Sequence, residues 1–403
     1  MSMPGSRAEA PTNFLSPDVT WMGRGSATAL GEGMRAILGA QPGTVLLAVD
    51  AAIESRNMLD GVLASLGDAG YTALVLTDFG PELRDDQVDA AARKARQVGV
   101  GAIVGIGGGT VLDAAKMIAL LVTNEGASRD WLGLVEPDRP RALLVLVPTT
   151  IGTGAEVTRI SMIMVDGEKR VSSSRSFVPD LVVLDPSFAD SLPASVKGST
   201  GMDALTHATE SVMSTISSPM TELHAFEAIR IIVADLAAAY DGDVEATGRV
   251  QWAAYLAGLA LNAGVVLGHS LAYAINHEKP LPHGTTCAVA LPYCIAYNRH
   301  LDPRRAAALA RALTQGASED LEVAAEAVKA LARRVGQPTD LDESGVPAGT
   351  EDRMATRCVE VYPRPTNPEP MDRTRIRQLF GAMREGDLGL AFAVTGSSTQ
   401  EGP

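Results

Sequence analysis

Residues able to do chemistry are sparse in this chain. Only six histidines occur, and His207, His269 and His283 fall in short, distinctive motifs. In Gly201-Met202-Asp203-Ala204-Leu205-Thr206-His207 a carboxylate and an imidazole stand four residues apart, so on a helix both project from one face. Such a pair can chelate a divalent metal; it can equally form a hydrogen bond along the helix. His269 lies in the apolar segment Gly268-His269-Ser270-Leu271-Ala272-Tyr273, where a histidine satisfied within the core is the other reading. His283 stands between Pro282 and Gly284. Taken jointly, Asp203, His207, His269 and His283 suggest a His3Asp metal site, a donor set that suits Fe2+ or Zn2+.

Two further motifs carry glycine and threonine. Gly105-Ile106-Gly107-Gly108-Gly109-Thr110-Val111-Leu112-Asp113-Ala114-Ala115-Lys116 joins an apolar run to a helical pattern. Glycines there let the backbone approach a phosphate, and the helix N-terminus offers N–H groups and the positive end of its dipole. The spacing is neither GxGxxG nor a P-loop, and glycines also make plain turns. Pro148-Thr149-Thr150-Ile151-Gly152-Thr153-Gly154 follows another apolar run, where hydroxyls suit a cofactor phosphate or amide; an ordinary Thr/Gly-rich loop is the alternative. Asp50 ends the run Val45–Val49. A carboxylate there can bind the adenosine ribose and repel a 2′-phosphate, favouring NAD(H) over NADP(H), although a solvated strand-end carboxylate has the same signature.

The elements that must position these residues divide the chain in two. Val45–Val49, Ala73–Leu76, Ala102–Ile106, Ala142–Val147 and Leu181–Leu184 read as strands buried on both faces, with helical spacing over Glu54–Asp68 and Asp85–Gln97 between the first three. That alternation predicts a parallel α/β sheet. Thr158–Val165 followed by Asp166-Gly167 predicts a hairpin. From Gly201 to Gly386 the segments are Ala-rich and helical, with Glu222–Tyr240 and Leu321–Val335 the clearest. The expected organisation is a mobile tail over 1–16, an α/β dinucleotide-binding domain over 17–197, an all-helical metal and substrate domain over 198–388, and a tail over 389–403.

The chain has 403 residues, 46% hydrophobic and 20% charged, which is a globular composition. Three cysteines cannot staple it, and their sparse, odd number suits a reducing compartment. The net charge of −14 with no basic run argues against nucleic acid as a partner. The apolar runs are too short to span a bilayer, and the N-terminus lacks the apolar centre of a signal peptide. The expectation is a soluble cytoplasmic protein.

The ordered motifs GGGTVLDAAK, PTTIGTGAEVT, GMDALTH, GHSLAY and PHG resemble the iron-containing (group III) alcohol dehydrogenase family, from about Gly23 to about Leu388. The resemblance implies a dehydroquinate synthase-like fold with the active site in a cleft between a nucleotide domain and a helical metal domain. It puts the pyrophosphate on Gly107, Gly108 and Gly109, with Asp113 opening the next helix. Thr149, Thr150 and Thr153 would line the cofactor, and Lys169 would lie near the ribose. It gives Asp203, His207, His269 and His283 as the metal ligands, and it implies a homo-oligomer, a dimer first.

Three positions depart from the family pattern. Tyr273 replaces the second histidine of HxxxH, a residue of the nicotinamide end that often takes part in proton transfer. Pro81-Glu82 stands where Pro-Asn is usual, and Asn367-Pro368-Glu369 where Asn-Pro-Arg is usual. The expected activity is hydride transfer between NAD(H) and a small alcohol or aldehyde, with His269 and Tyr273 at the reacting centre. The HxxxY pattern also resembles hydroxyacid–oxoacid transhydrogenases and phosphonoacetaldehyde-type reductases. A lyase of the same fold and a non-catalytic nucleotide-binding protein are the alternatives from other classes.

Overall fold

Alternate residues of the central apolar runs face opposite sides of a sheet. Leu46, Ile103 and Leu144 join one buried cluster, while Leu47, Val104 and Val145 join another. A computed structural model describes residues 13–36, 39, 41–55, 57–80 and 82–394. Its main sheet contains β1 (Val19–Met22), β2 (Thr44–Val49), β3 (Thr72–Leu76), β4 (Ala102–Gly107), β6 (Leu143–Pro148) and β9 (Leu181–Leu184). All pair in parallel, in the order β1-β9-β6-β4-β2-β3. A smaller sheet holds β5 (Gly133–Leu134), β7 (Ile160–Val165) and β8 (Glu168–Ser173). The predicted hairpin is β7–β8, and Asp166 and Gly167 both take positive φ, at 52° and 78°. Strand order reverses between β2 and β4. In open α/β sheets the crevice beyond the carboxyl ends at such a reversal is where ligands bind.

Helices α1 (Leu30–Ala36), α2 (Ala51–Ser55), α3 (Asp60–Asp68), α4 (Asp85–Gln97) and α5 (Gly109–Thr123) belong to the sheet half. After α6 (Ser187–Asp190), no described residue is in a strand. The helical half comprises α7 (Ala194–Met213), α8 (Pro219–Tyr240), α9 (Val244–Ala260), α10 (Leu267–Glu278), α11 (His283–Tyr297), α12 (Pro303–Leu313), α13 (Leu321–Arg334), α14 (Glu351–Glu360), α15 (Arg373–Glu385) and α16 (Leu388–Val394). One large apolar cluster runs through it and takes in Ile151, Val157, Val182 and Leu184 from the sheet half. The threonine loop after β6 is therefore anchored in the helical core.

The structure departs from the sequence reading at four points. The continuous helix over Glu54–Asp68 is broken, with α2 ending at Ser55 and α3 starting at Asp60. Asn57 takes a left-handed φ of 54°, which ends the first helix. β1 went unread because it is a four-residue edge strand, only partly buried, carrying no continuous apolar signal. The tail expected from 389 begins as α16, which buries Leu388, Ala391 and Phe392. At the other end Leu15 and Asn262 exchange hydrogen bonds of 2.9 Å, so the chain is tied down before residue 17. Residues 1–12 and 395–403 of the two expected tails lie outside the described residues.

At Gly152 the two halves touch closely, since a Cβ added there collides with the backbone carbonyl of Thr200 on α7. Neither backbone can yield cheaply. Gly152→Ala should therefore destabilise the protein by about 1–3 kcal/mol, the usual cost of overpacking. The measurement is the urea midpoint at unchanged slope; an unmoved midpoint contradicts the close-contact reading.

Candidate functional site

Three helices each present two polar side chains four residues apart: Asp203 and His207 on α7, His269 and Tyr273 on α10, His283 and Cys287 on α11. The spacing puts each pair on one face of its helix, and the three faces converge. Asp203 Oδ1 lies 3.6 Å from His207 Nε2 and 3.7 Å from His283 Nε2. The His207 and His269 rings stack at 4.9 Å, and His269 and His283 lie 5.4 Å apart. Asp203, His269, His283 and Cys287 each offer a ligand atom within 4.8 Å of the others. The four residues expected to bind metal thus come together. Cys287 joins them unforeseen, although its place four residues after His283 was a readable signal.

Asp203 Oδ1, His207 Nδ1 and His269 Nε2 are buried without a hydrogen-bond partner. Buried polar atoms are normally paired; the orphaned Asp203 Oδ1 and His269 Nε2 fit a missing cation, while His207 turns its other nitrogen, Nε2, toward Asp203 at 3.6 Å. The protonation states agree. Burial pushes the His283 imidazole down to about 3 and His269 well below its usual range, so both are neutral with a lone pair to give. Burial opposes ionisation of Asp203, yet its carboxyl stays below the usual value, which leaves it the charged member of the cluster.

A residue that the sequence did not single out orients this cluster. Glu210, fully buried, accepts the His269 backbone N–H at 3.1 Å and pairs through Oε2 with His269 Nδ1. A proton on Nδ1 leaves the Nε2 lone pair facing the cluster. Glu210 follows Asp203 by seven residues and so shares its helix face. Burial, opposed by Arg364 and other groups, pushes its carboxyl up to about 7. Gly268 makes the approach possible, because a Cβ there would meet Glu210 Oε1 at 2.6 Å.

The segment around Asn367 fixes the start of α10. Asn367 Oδ1 accepts the Leu267 N–H and Asn298 Nδ2, each at 3.0 Å, and Thr366 Oγ1 donates to Val265 O at 3.0 Å. Glu369, in place of the expected arginine, pairs with Arg375 at 3.4 Å.

Tyr273 stacks on His283 with ring centres 5.4 Å apart and meets His269 edge-on at 6.0 Å. Burial pushes its phenol up to about 12, so it keeps its proton at neutral pH.

The glycine and threonine motifs meet at the carboxyl ends of adjacent strands. Gly107 pairs with Pro148, and the Thr149 N–H donates to Gly107 O at 3.0 Å. Gly108 precedes α5 without a side-chain cap. An added Cβ at Gly108 would lie 3.2 Å from Thr150 Cγ2, and one at Gly109 3.2 Å from Thr153 Cγ2. The Thr150 hydroxyl is buried and unpaired. Asp50, across the strand reversal, donates its N–H to Ile106 O at 3.0 Å, while its carboxylate accepts the Ala52 N–H at 2.9 Å, opening α2.

Asp113 is otherwise engaged. Its oxygens take the Met162 N–H at 3.0 Å and Lys116 Nζ at 3.4 Å, binding α5 to β7. Lys169, on β8, is exposed, and its charge reaches Asp113, His269 and His283. Pro81 lies outside the described residues.

The chain matches two halves of one family: iron-containing alcohol dehydrogenase over residues 17–186, and the C-terminal part of the Fe-containing alcohol dehydrogenase family over 197–383. It is 32% identical to long-chain-alcohol dehydrogenase 1 of Geobacillus thermodenitrificans, over 85% of this chain and 90% of that one. It is 30% identical to the NAD-dependent methanol dehydrogenase of Bacillus methanolicus, over 92% and 99%. A solved 1,3-propanediol oxidoreductase superposes with a TM-score of 0.87 at 29% identity, covering 93% of this chain and 100% of that one. Matched over both its halves, the chain belongs to the iron-containing alcohol dehydrogenase family.

Proposed function

We propose that this protein is a metal- and NAD(H)-dependent oxidoreductase that interconverts small alcohols and aldehydes. The observation that carries the reading is the pair of buried, unpaired ligand atoms on Asp203 and His269, with the Nε2 atoms of His207 and His283 beside Asp203. These four residues would hold the metal, iron or zinc. When bound, it supplies Lewis acidity toward the substrate oxygen. A bound nicotinamide cofactor would supply the hydride chemistry.

The chain's own residues bind, orient and handle the proton. The uncapped N-terminus of α5, with Gly107, Gly108 and Gly109, receives the pyrophosphate of the cofactor. Thr149, Thr150 and Thr153 line its path, with the unpaired Thr150 hydroxyl free to bond it. Asp50, at the strand reversal, takes the ribose hydroxyls and favours NADH over NADPH. Lys169 contributes positive charge that reaches Asp113, His269 and His283. Glu210 keeps His269 in one tautomer. Tyr273, protonated throughout the neutral range, donates a hydrogen bond to the substrate oxygen, where the family pattern uses an imidazole.

His269→Ala and His283→Ala should each lose bound metal and nearly all NADH-dependent aldehyde reduction while remaining folded. Metal analysis of anaerobically purified protein, with turnover on a panel of aldehydes, decides this; full occupancy and normal rates in both variants reject the site.

Glu210→Gln should keep the volume but weaken the orientation of His269. Metal affinity should fall about 10–100-fold, as when such supporting groups are removed elsewhere. Competition against a chelator measures it, and an unchanged Kd would make Glu210 packing only.

Tyr273→Phe should lower kcat about tenfold or more, toward the range of general acid–base effects. Metal content and NADH affinity should hold. Because the phenol sits near 12, it should add no titration between about pH 6 and 9. A wild-type rate in the Phe variant across that range would pass the proton to a water molecule.

A further inference from the structure

Arg357 and Arg364 are unusual among the arginines. Both are half-buried, and each has a buried Nε without a hydrogen-bond partner. Among the described residues neither guanidinium finds a hydrogen-bond or ion-pair partner, and every other described arginine in that condition is exposed. In a chain of net charge −14 a cation without a carboxylate partner is not explained by scarcity of acids. What they touch instead is aromatic. Arg364 Cζ lies 5.7 Å from the centre of the Tyr273 ring, and Arg357 Cζ lies 5.8 Å from that of Tyr362. The two rings are 5.2 Å apart, and the Ser270 hydroxyl holds the Tyr362 carbonyl at 2.5 Å. Tyr273 in turn stacks on His283. The two arginines are thus the next layer beyond the metal cluster on the α10 side.

Their charge reaches the cluster. Arg364 is among the groups that depress His269 and the one that most opposes the upward push on Glu210. Lys169 adds a third positive charge from the sheet half. Of the two carboxylates there, Glu210 is bonded to His269 and Asp203 faces the histidines. With a divalent cation bound, the surroundings are net positive and attract an anionic ligand. A guanidinium fork matches a carboxylate with two parallel hydrogen bonds, and a ligand that supplies them would pair donors the protein leaves open.

We propose that Arg364, with Arg357 behind it, recognises a carboxylate on the substrate, so that the protein acts on short aldehydes and alcohols carrying a carboxylate at the end away from the reacting carbon. This rests on the oxidoreductase reading of the metal site. The other role open to Arg364, a counter-charge for Glu210, differs in its consequences, since losing that would disturb His269 and the metal.

The test compares butanal with 4-oxobutanoate, which share a chain length and differ in the terminal carboxylate, using metal-loaded protein and NADH. Wild type should prefer 4-oxobutanoate in kcat/KM. Arg364→Gln should reduce the ratio of the two kcat/KM values about tenfold or more, mainly through KM for the anion, at unchanged metal content. Arg357→Gln should reduce it less. In a parallel arm, calorimetry should show succinate binding to the loaded wild-type protein and at least tenfold more weakly to Arg364→Gln. Equal losses on both aldehydes, or loss of metal from Arg364→Gln, would overturn the proposal and make Arg364 the support of Glu210. If neither aldehyde is reduced, the oxidoreductase reading fails, and the succinate arm still decides the anion site.

Discussion

Asp203 is buried in a helical core with one carboxylate oxygen unpaired, and three imidazoles surround it. Burying an ionised carboxylate costs several kcal/mol unless a charge compensates it, and neutral imidazoles with orphaned nitrogens add to the cost. A divalent cation there would compensate the carboxylate and take the imidazole lone pairs that face it. The rest of the architecture serves that demand: α7, α10 and α11 must bring three helical faces within a few ångströms, which the small residues Gly268 and Gly284 permit. Asn367 and Glu210 then fix the start and the ring orientation of α10.

The sheet half answers a different constraint. A nucleotide must lie against backbone N–H groups, so its site has to be at strand ends where glycine leaves room. Gly107 to Gly109 and the threonine loop face one another there, and Ile151 and Val157 root that loop in the helical core. Loop geometry on one side is thereby tied to helix geometry on the other.

Much of this was legible in the sequence because the signals are local. Buried strands announce themselves as continuous apolar runs, and α4 spans Asp85–Gln97 as its periodicity predicts. Asp203 and His207 declare their common face by spacing alone. What escaped has a physical reason in each case. β1 is short and at a sheet edge. Asn57 breaks a helix through a left-handed φ that periodicity cannot register. Glu210, Asn367, Arg357 and Arg364 matter through partners distant in sequence, and no spacing rule joins Arg364 to Tyr273. Asp113 looked like a cofactor residue because it opens a helix after glycines, yet its oxygens serve β7 and Lys116.

The most direct test of the account is a crystal structure of the metal-loaded protein with anomalous diffraction at the metal edge. The account predicts one peak per chain, enclosed by Asp203, His207, His269 and His283, with ligand distances of about 2.0–2.2 Å. Fully active protein with no peak in that cluster, or with its metal bound elsewhere, would contradict it.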